Sequence, residues 1–116
     1  MRYCESPFFF QRRKAREITV GDPALGGVII GGDHPVVVQS MLTCDTMDTA
    51  LSIKQSLELV AVGCQLVRIT APTVKDAANL EHIVRGLRES GCRVPIVADI
   101  HFKPDAAMEE IGRAHV

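Results

Sequence analysis

The sequence lacks three patterns that would each fix a class of protein. No apolar run approaches the roughly 18 to 20 residues that a membrane-spanning helix needs. No two of the four cysteines have C-x-x-C spacing, and no histidine lies at a zinc-finger offset. No G-x-G-x-x-G motif follows a predicted strand, which removes the main support for a dinucleotide-binding domain. A membrane span, a zinc module and a nucleotide fold are therefore not indicated.

The sequence also lacks an excess of either sign of charge. The formal net charge is −1, with 23% charged and 47% hydrophobic residues, so a real core is possible and disorder is not expected. Nothing favours general binding to nucleic acid or to an anionic membrane. The apolar patch Phe8 to Phe10 is too short for a signal peptide. We expect a cytoplasmic protein whose cysteines, Cys4, Cys44, Cys64 and Cys92, are free thiols.

The first third of the chain predicts a short β-hairpin. Glu17 to Val20 is one β-rich run, and Val28 to Ile30 is a second. The turn signal Gly21-Asp22-Pro23 lies between them. We assign residues 1–35 to an N-terminal extension that ends in this hairpin.

From Val36 onward the pattern alternates between strand and helix. Val36-Val37-Val38 is a β-branched run typical of a strand buried on both faces, and it continues to Met41. Further strands are predicted from Leu66 to Thr70 and from Val94 to Ile100. Helices are predicted from an Asp48 cap to about Val62, from Thr73 to Gly91, and from Pro104. Two apolar stripes should face the core: Ala50, Ile53, Leu57 and Val60, then Ala77, Leu80, Val84 and Leu87. The order β-α-β-α-β-α predicts an α/β fold with parallel strands.

Polar residues stand at the ends of all three predicted strands. Reacting groups of parallel α/β folds gather at the carboxyl ends of the strands. Five side chains should therefore face one rim: Gln39, Ser40, Arg68, Asp99 and His101.

Each of these residues has a structural alternative. Arg68 either pairs with a structural carboxylate or faces a ligand anion, for which its planar fork of donors is suited. Asp99 could orient Arg68 or His101, or act as an acid or base. Gln39 and Ser40 could merely satisfy backbone groups at a strand end. The residues alone support a phosphate-binding α/β enzyme.

Four stretches resemble one family specifically. They are Val38-Gln39-Ser40-Met41, Asp45-Thr46-Met47-Asp48-Thr49, Val67-Arg68-Ile69-Thr70 and Val97-Ala98-Asp99-Ile100-His101-Phe102. Together they resemble the 4-hydroxy-3-methylbut-2-en-1-yl diphosphate synthases, the GcpE family of the methylerythritol phosphate pathway. The resemblance covers roughly residues 1 to 109. The opening Arg2-Tyr3-Cys4-Glu5-Ser6 is similar to the longer variant of the family.

The resemblance implies the N-terminal part of a TIM (β/α)8 barrel, with about three of its eight strands. It implies reductive ring opening and dehydration of 2-C-methyl-D-erythritol 2,4-cyclodiphosphate. By position, Arg68 would contact the diphosphate, with Gln39 and Ser40 as weaker candidates, and Asp99 and His101 would be catalytic. It also implies a 4Fe-4S cluster held by a further domain, ferredoxin or flavodoxin as electron donor, and a homodimer. None of the four cysteines of this chain is assigned as a cluster ligand.

The length limits what the chain can do. A TIM barrel needs about 250 residues, so residues 36–110 are expected to form a partial barrel that is inactive alone. Residues 111–116, Ile-Gly-Arg-Ala-His-Val, match one reading frame of a common sequencing-adapter end, and we expect them to be non-native rather than a divergent C-terminus. Two alternatives stay open: another phosphate-binding barrel similar to dihydropteroate synthases, and a fragment with no independent function.

Overall fold

The structure, a computed structural model, describes residues 13–111. A small hairpin precedes three consecutive βα units in these residues. The elements are β1 (Ile18–Val20), β2 (Val28–Ile30), β3 (Gln39–Met41), α1 (Thr49–Ala61), β4 (Leu66–Thr70), α2 (Val74–Glu89), β5 (Ile96–Asp99) and α3 (Pro104–Ile111). Within the described residues, no helix combines the length and the apolar character needed to cross a bilayer.

The predicted hairpin is confirmed. Strands β1 and β2 pair antiparallel, with Ile18 opposite Ile30. Their connection contains a 3-10 turn that Asp22 caps, because its side chain accepts a 3.0 Å hydrogen bond from the amide of Ala24. Gly21 lies against Pro95, directly before β5, so the turn sits at the amino end of the main sheet.

The main sheet is parallel, as the alternation predicts. Its strand order is β3-β4-β5, and the helices α1, α2 and α3 contact one another in sequence order. Asp48 caps α1 by accepting a hydrogen bond from the amide of Leu51, and Gly63 follows the helix with a φ of +103°. The predicted bounds of α1 are therefore confirmed.

The first predicted strand was placed three residues too early. The register pairs Gln39 with Leu66, the first residue of β4, so the residues before Gln39 have no partner strand in the described sheet. Val36 and Val38 are exposed accordingly, and the prediction that this run is buried on both faces was wrong. Only the backbone of Val38 is held, where its amide donates a 2.9 Å hydrogen bond to Gln65 Oε1.

The core lies between the sheet and α2. Val67 and Ile69 of β4 are almost fully buried, as are Ile83 and Leu87 of α2. The predicted stripe of α2 is largely confirmed, although Ile83 is buried more deeply than the predicted Val84.

The stripe of α1 is confirmed only in part. Ile53, Leu57 and Val60 are half-buried against the core, but Ala50 is exposed. The fully buried positions of α1 are Ser52 and Ser56. Each buried hydroxyl donates to a backbone carbonyl, so burial leaves neither hydroxyl unsatisfied.

Candidate functional site

The parallel register decides which side chains share a face of the sheet. Paired residues on adjacent strands point to the same side, and sides alternate along each strand. Arg68 pairs with Met41 and Val97, and Asp99 pairs with Thr70. These residues therefore lie on the face opposite the helices, because Val67 and Ile69 occupy the helix-facing side.

Two predicted site residues are placed apart from this group. Ser40 pairs with Val67, so it lies on the helix-facing side. Gln39 pairs with Leu66, so it lies on the same face as Arg68 but two positions nearer the amino end of β4, where it lines an open cleft with the end of the hairpin, including Ile30 and Gly31. The five residues thus do not meet at one rim, and the binding roles of Gln39 and Ser40 stay predictions.

Arg68, Asp99 and His101 do come together. Arg68 Nη2 lies 2.8 Å from Asp99 Oδ2, and His101 Nδ1 lies 3.3 Å from Asp99 Oδ1. The carboxylate has only 17% of its side chain exposed and uses one oxygen for each partner. Since an ionised carboxylate can only accept, Nδ1 of His101 carries the proton in this contact and Nε2 points elsewhere.

The electrostatics of Asp99 favour its ionised form. Burial alone raises the pKa of the carboxyl group, because desolvation disfavours charge. Hydrogen bonds from His101 and Arg68, together with their positive charges, outweigh that effect and leave the pKa below its ordinary value. Asp99 is therefore an anion at neutral pH and serves as the shared acceptor of the group.

Arg68 keeps donors for a further partner. A guanidinium group has five N–H donors in a fixed fork, and Asp99 engages Nη2. The Arg68 side chain is 41% exposed on the open face of the sheet. The predicted pairing of Arg68 with a carboxylate is therefore confirmed, and its role as a ligand for an anion stays a prediction.

Phe102 follows His101 in an unusual conformation. Its φ is +64°, and among the described residues it alone combines a side chain with a left-handed backbone. Such a backbone costs on the order of 1–3 kcal/mol for a bulky residue. Its ring stands edge-to-face to the His101 imidazole, with centroids 5.7 Å apart and planes at 82°, while 96% of the residue is exposed.

Sequence reasoning missed the residues that anchor the loop after β3. Thr46 is buried, and its hydroxyl donates to the carbonyl oxygen of Thr70 at the end of β4. Asn79 of α2 donates a 2.8 Å hydrogen bond back to the carbonyl oxygen of Thr46. The available signal was Asn79 itself, because an asparagine inside a helix, directly before the buried Leu80, is unfavourable without a partner.

The cysteines do not form a metal site in the part of the chain that the structure describes. Cys64 is buried, and its thiol lies 2.9 Å from the carbonyl oxygen of Leu66. Cys44 lies 3.5 Å from the hydroxyl of Ser52. Residues 13–111 contain no group of three or more cysteine, histidine or acidic side chains arranged to hold a metal ion. These residues therefore do not fit an iron–sulfur cluster, and Cys4 lies outside them.

Comparison with known proteins supplies the family. The sequence model of the GcpE TIM-barrel domain matches residues 16–115. The chain belongs to the GcpE family. This membership excludes the alternative of a barrel similar to dihydropteroate synthases.

Three curated relatives in the GcpE family show how much of the protein this chain represents. It is 55% identical over 107 residues to a relative from Akkermansia muciniphila, covering 92% of this chain and 17% of that protein. It is 50% identical over 110 residues to one from Leptospira interrogans, covering 95% and 16%. It is 46% identical over 94 residues to one from Streptomyces avermitilis, covering 81% and 22%. Each is named 4-hydroxy-3-methylbut-2-en-1-yl diphosphate synthase (flavodoxin), the last with the number 1. The chain thus spans about a sixth to a fifth of their lengths.

Proposed function

We propose that this chain is the N-terminal part of a 4-hydroxy-3-methylbut-2-en-1-yl diphosphate synthase, inactive without the remainder. The observation that carries the proposal is the triad formed by Arg68 of β4 with Asp99 and His101 at the carboxyl end of β5, in a chain of the GcpE family. The whole reaction is reductive opening of the cyclic diphosphate ring with loss of water. In the complete enzyme a 4Fe-4S cluster supplies the electrons, with flavodoxin or ferredoxin as donor.

Within that reaction Arg68 binds the diphosphate. Its fork donates to phosphoryl oxygens while Nη2 stays on Asp99, which fixes the guanidinium plane. Asp99 also holds Nδ1 of His101, which leaves Nε2 directed to the bound substrate or to its leaving hydroxyl group. We assign Asp99 and His101 to orientation and proton transfer in this pocket.

The relatives' lengths support the longer variant of the family. The match to the Akkermansia protein spans 107 residues and 17% of that protein, whereas the match to the Streptomyces protein spans 94 residues and 22%. The Akkermansia protein is therefore the longer of the two. The higher identity is to that longer protein. We propose the same architecture here, a cytoplasmic location, and a homodimer in the complete protein.

A hybrid enzyme tests these assignments. In the hybrid synthase, this chain replaces the 107 matching residues of the Akkermansia muciniphila relative. We expect turnover of the cyclic diphosphate with reduced flavodoxin, whereas this chain alone is inactive. Arg68→Met should lower kcat/KM by about 100-fold, mainly through KM, because a charge-assisted contact is lost.

Two controls accompany this experiment. Arg85→Met removes an exposed arginine of α2 that pairs with Glu81, and it should leave kcat/KM unchanged. The visible absorption of the cluster reports whether each variant is assembled. An active Arg68→Met hybrid with parental KM would remove Arg68 from the binding site, and an assembled but inactive parent hybrid would refute the proposed activity of this chain's barrel part.

A further inference from the structure

Two features of Phe102 are unfavourable and have no compensation in core packing. The backbone is left-handed at a bulky side chain, and the ring is 96% exposed. Asn or Gly would adopt the same backbone more easily. Strain of this kind persists only where the surrounding structure holds the conformation in place, and such positions cluster at functional sites.

The one ring contact made by Phe102 within residues 13–111 is with His101. The two rings stand edge-to-face at 5.7 Å, which is a favoured geometry for aromatic pairs. Asp99 holds the imidazole through a single atom, Nδ1. One hydrogen bond still permits rotation of the ring about that contact, and a second contact from the side removes this freedom.

From this arrangement we infer that Phe102 is a positioning residue, whose ring sets the plane of the His101 imidazole and so aims Nε2 at the reacting ligand. The left-handed turn at Phe102 is what folds the ring back beside its sequence neighbour. Asp99 can hold the proton on Nδ1 only while the imidazole keeps this plane, so the Phe102 ring secures both the single tautomer and the direction of Nε2. The kinetic part of this inference rests on the proposed function, whereas the orientation of His101 does not.

Three substitutions separate the effect of the Phe102 ring from the effect of its backbone conformation. Phe102→Tyr keeps an aromatic ring, Phe102→Leu keeps apolar bulk without a ring, and Phe102→Gly relaxes the left-handed backbone without a ring. The hybrid synthase is labelled with nitrogen-15 in its histidines, and the His101 signals are assigned by their loss in His101→Gln. Long-range proton–nitrogen spectra then show whether Nδ1 carries the proton in a single tautomer or the two forms average.

We expect the parent and Phe102→Tyr to show one tautomer with Nδ1 protonated. Phe102→Leu and Phe102→Gly should show averaging, and kcat should fall about tenfold with little change in KM, because a catalytic group is misaimed while binding is kept. Asp99→Asn should also show averaging, which calibrates the measurement.

The outcomes distinguish the inference from the proposed function. Parental spectra in Phe102→Leu would overturn the inference, even if kcat fell, because the effect would then be structural. A parental kcat in Phe102→Leu with altered spectra would overturn its catalytic consequence. In a third outcome Phe102→Leu shows averaged spectra, while the parent hybrid is assembled but does not turn over the diphosphate. That result would support the positioning role of Phe102 and refute the proposed function.

Discussion

Arg68 and Asp99 lie on neighbouring parallel strands, with Nη2 and Oδ2 2.8 Å apart. Their pairing partners are Val97 and Thr70 respectively, so the contact runs diagonally across the sheet. Asp99 thereby receives one donor from β4 and one from His101 beyond its own strand. A single carboxylate therefore couples the middle of β4 to the residue that follows the end of β5 by two positions.

The first prediction concerns the pKa of Asp99. Arg68→Met should raise the pKa of Asp99 towards its ordinary 3.8, because a hydrogen bond and a positive charge are both lost. Carboxyl-carbon NMR of the hybrid synthase measures this directly. Arg85→Met, far from the site, is the matched control. An unchanged Asp99 titration in Arg68→Met would show that the contact contributes nothing in solution.

The free energy of unfolding should depend on pH as the lowered pKa of Asp99 requires. Since the folded pKa is lowered, the ionised carboxylate adds stability above pH 3.8 and loses it as the pH falls through the folded value. The urea midpoint of the hybrid should therefore exceed that of Asp99→Asn at neutral pH. The difference should shrink as the pH is lowered past 3.8. A difference that grows in acid would contradict the sign of the shift.

The second prediction concerns the start of α2. Thr73 accepts a hydrogen bond from the amide of Asp76 and donates its own hydroxyl to that carboxylate, which is 8% exposed. Thr73→Ala should destabilise the helix by about 1 kcal/mol. Amide hydrogen exchange in the first turn of α2 should then speed up about fivefold. Thr73→Ser keeps the hydroxyl and should exchange at the parental rate, and equal rates in all three would exclude the cap.

The sequence predicted much of this architecture because its signals are local. The caps at Asp48 and Thr73 and the alternation of strand and helix depend on neighbouring residues. The start of β3 depends on where β4 begins, 27 residues later in the chain, and no local pattern at Val38 encodes that pairing. The same limit explains Ser40, whose face follows from its pairing with Val67.

The candidate site, like the fold, could be predicted only where its signals are local. Arg68, Asp99 and His101 were found because polar side chains within or just after apolar strands stand out in the sequence, and neighbouring parallel strands bring them together. Phe102 was not found because a left-handed φ at an aromatic residue has no sequence signature. Thr46 and Asn79 were missed as anchors because their contacts join elements that are far apart in sequence.

The third prediction concerns the inner side of α1. Ser56 is fully buried, and its hydroxyl donates a 2.8 Å hydrogen bond to the carbonyl oxygen of Ser52. Ser56→Leu adds volume to a close-packed contact and should destabilise the fold by about 1–3 kcal/mol. Ser56→Ala should change stability by less than about 0.5 kcal/mol, because alanine favours helix and fits the space. Exchange rates of α1 amides in the hybrid measure both, and a tolerated leucine would show that α1 packs loosely.

The fourth prediction concerns this chain by itself. In the described sheet β3 and β5 each have one partner strand, so both outer edges expose backbone hydrogen-bonding groups. Exposed apolar side chains, Val36, Val38 and Met41, lie at or beside one of these edges. We expect low stability and concentration-dependent association by sedimentation velocity. A monomer with a sharp thermal transition would contradict this expectation.

The anchoring of Thr46 also carries a consequence for synthesis on the ribosome. Its hydroxyl binds Thr70, 24 residues later, and its carbonyl oxygen is bound by Asn79, 33 residues later. A chain made from the amino terminus reaches Thr46 well before these partners exist. The loop after β3 therefore acquires its final shape only when α2 has left the exit tunnel, so the first βα unit is completed by the second.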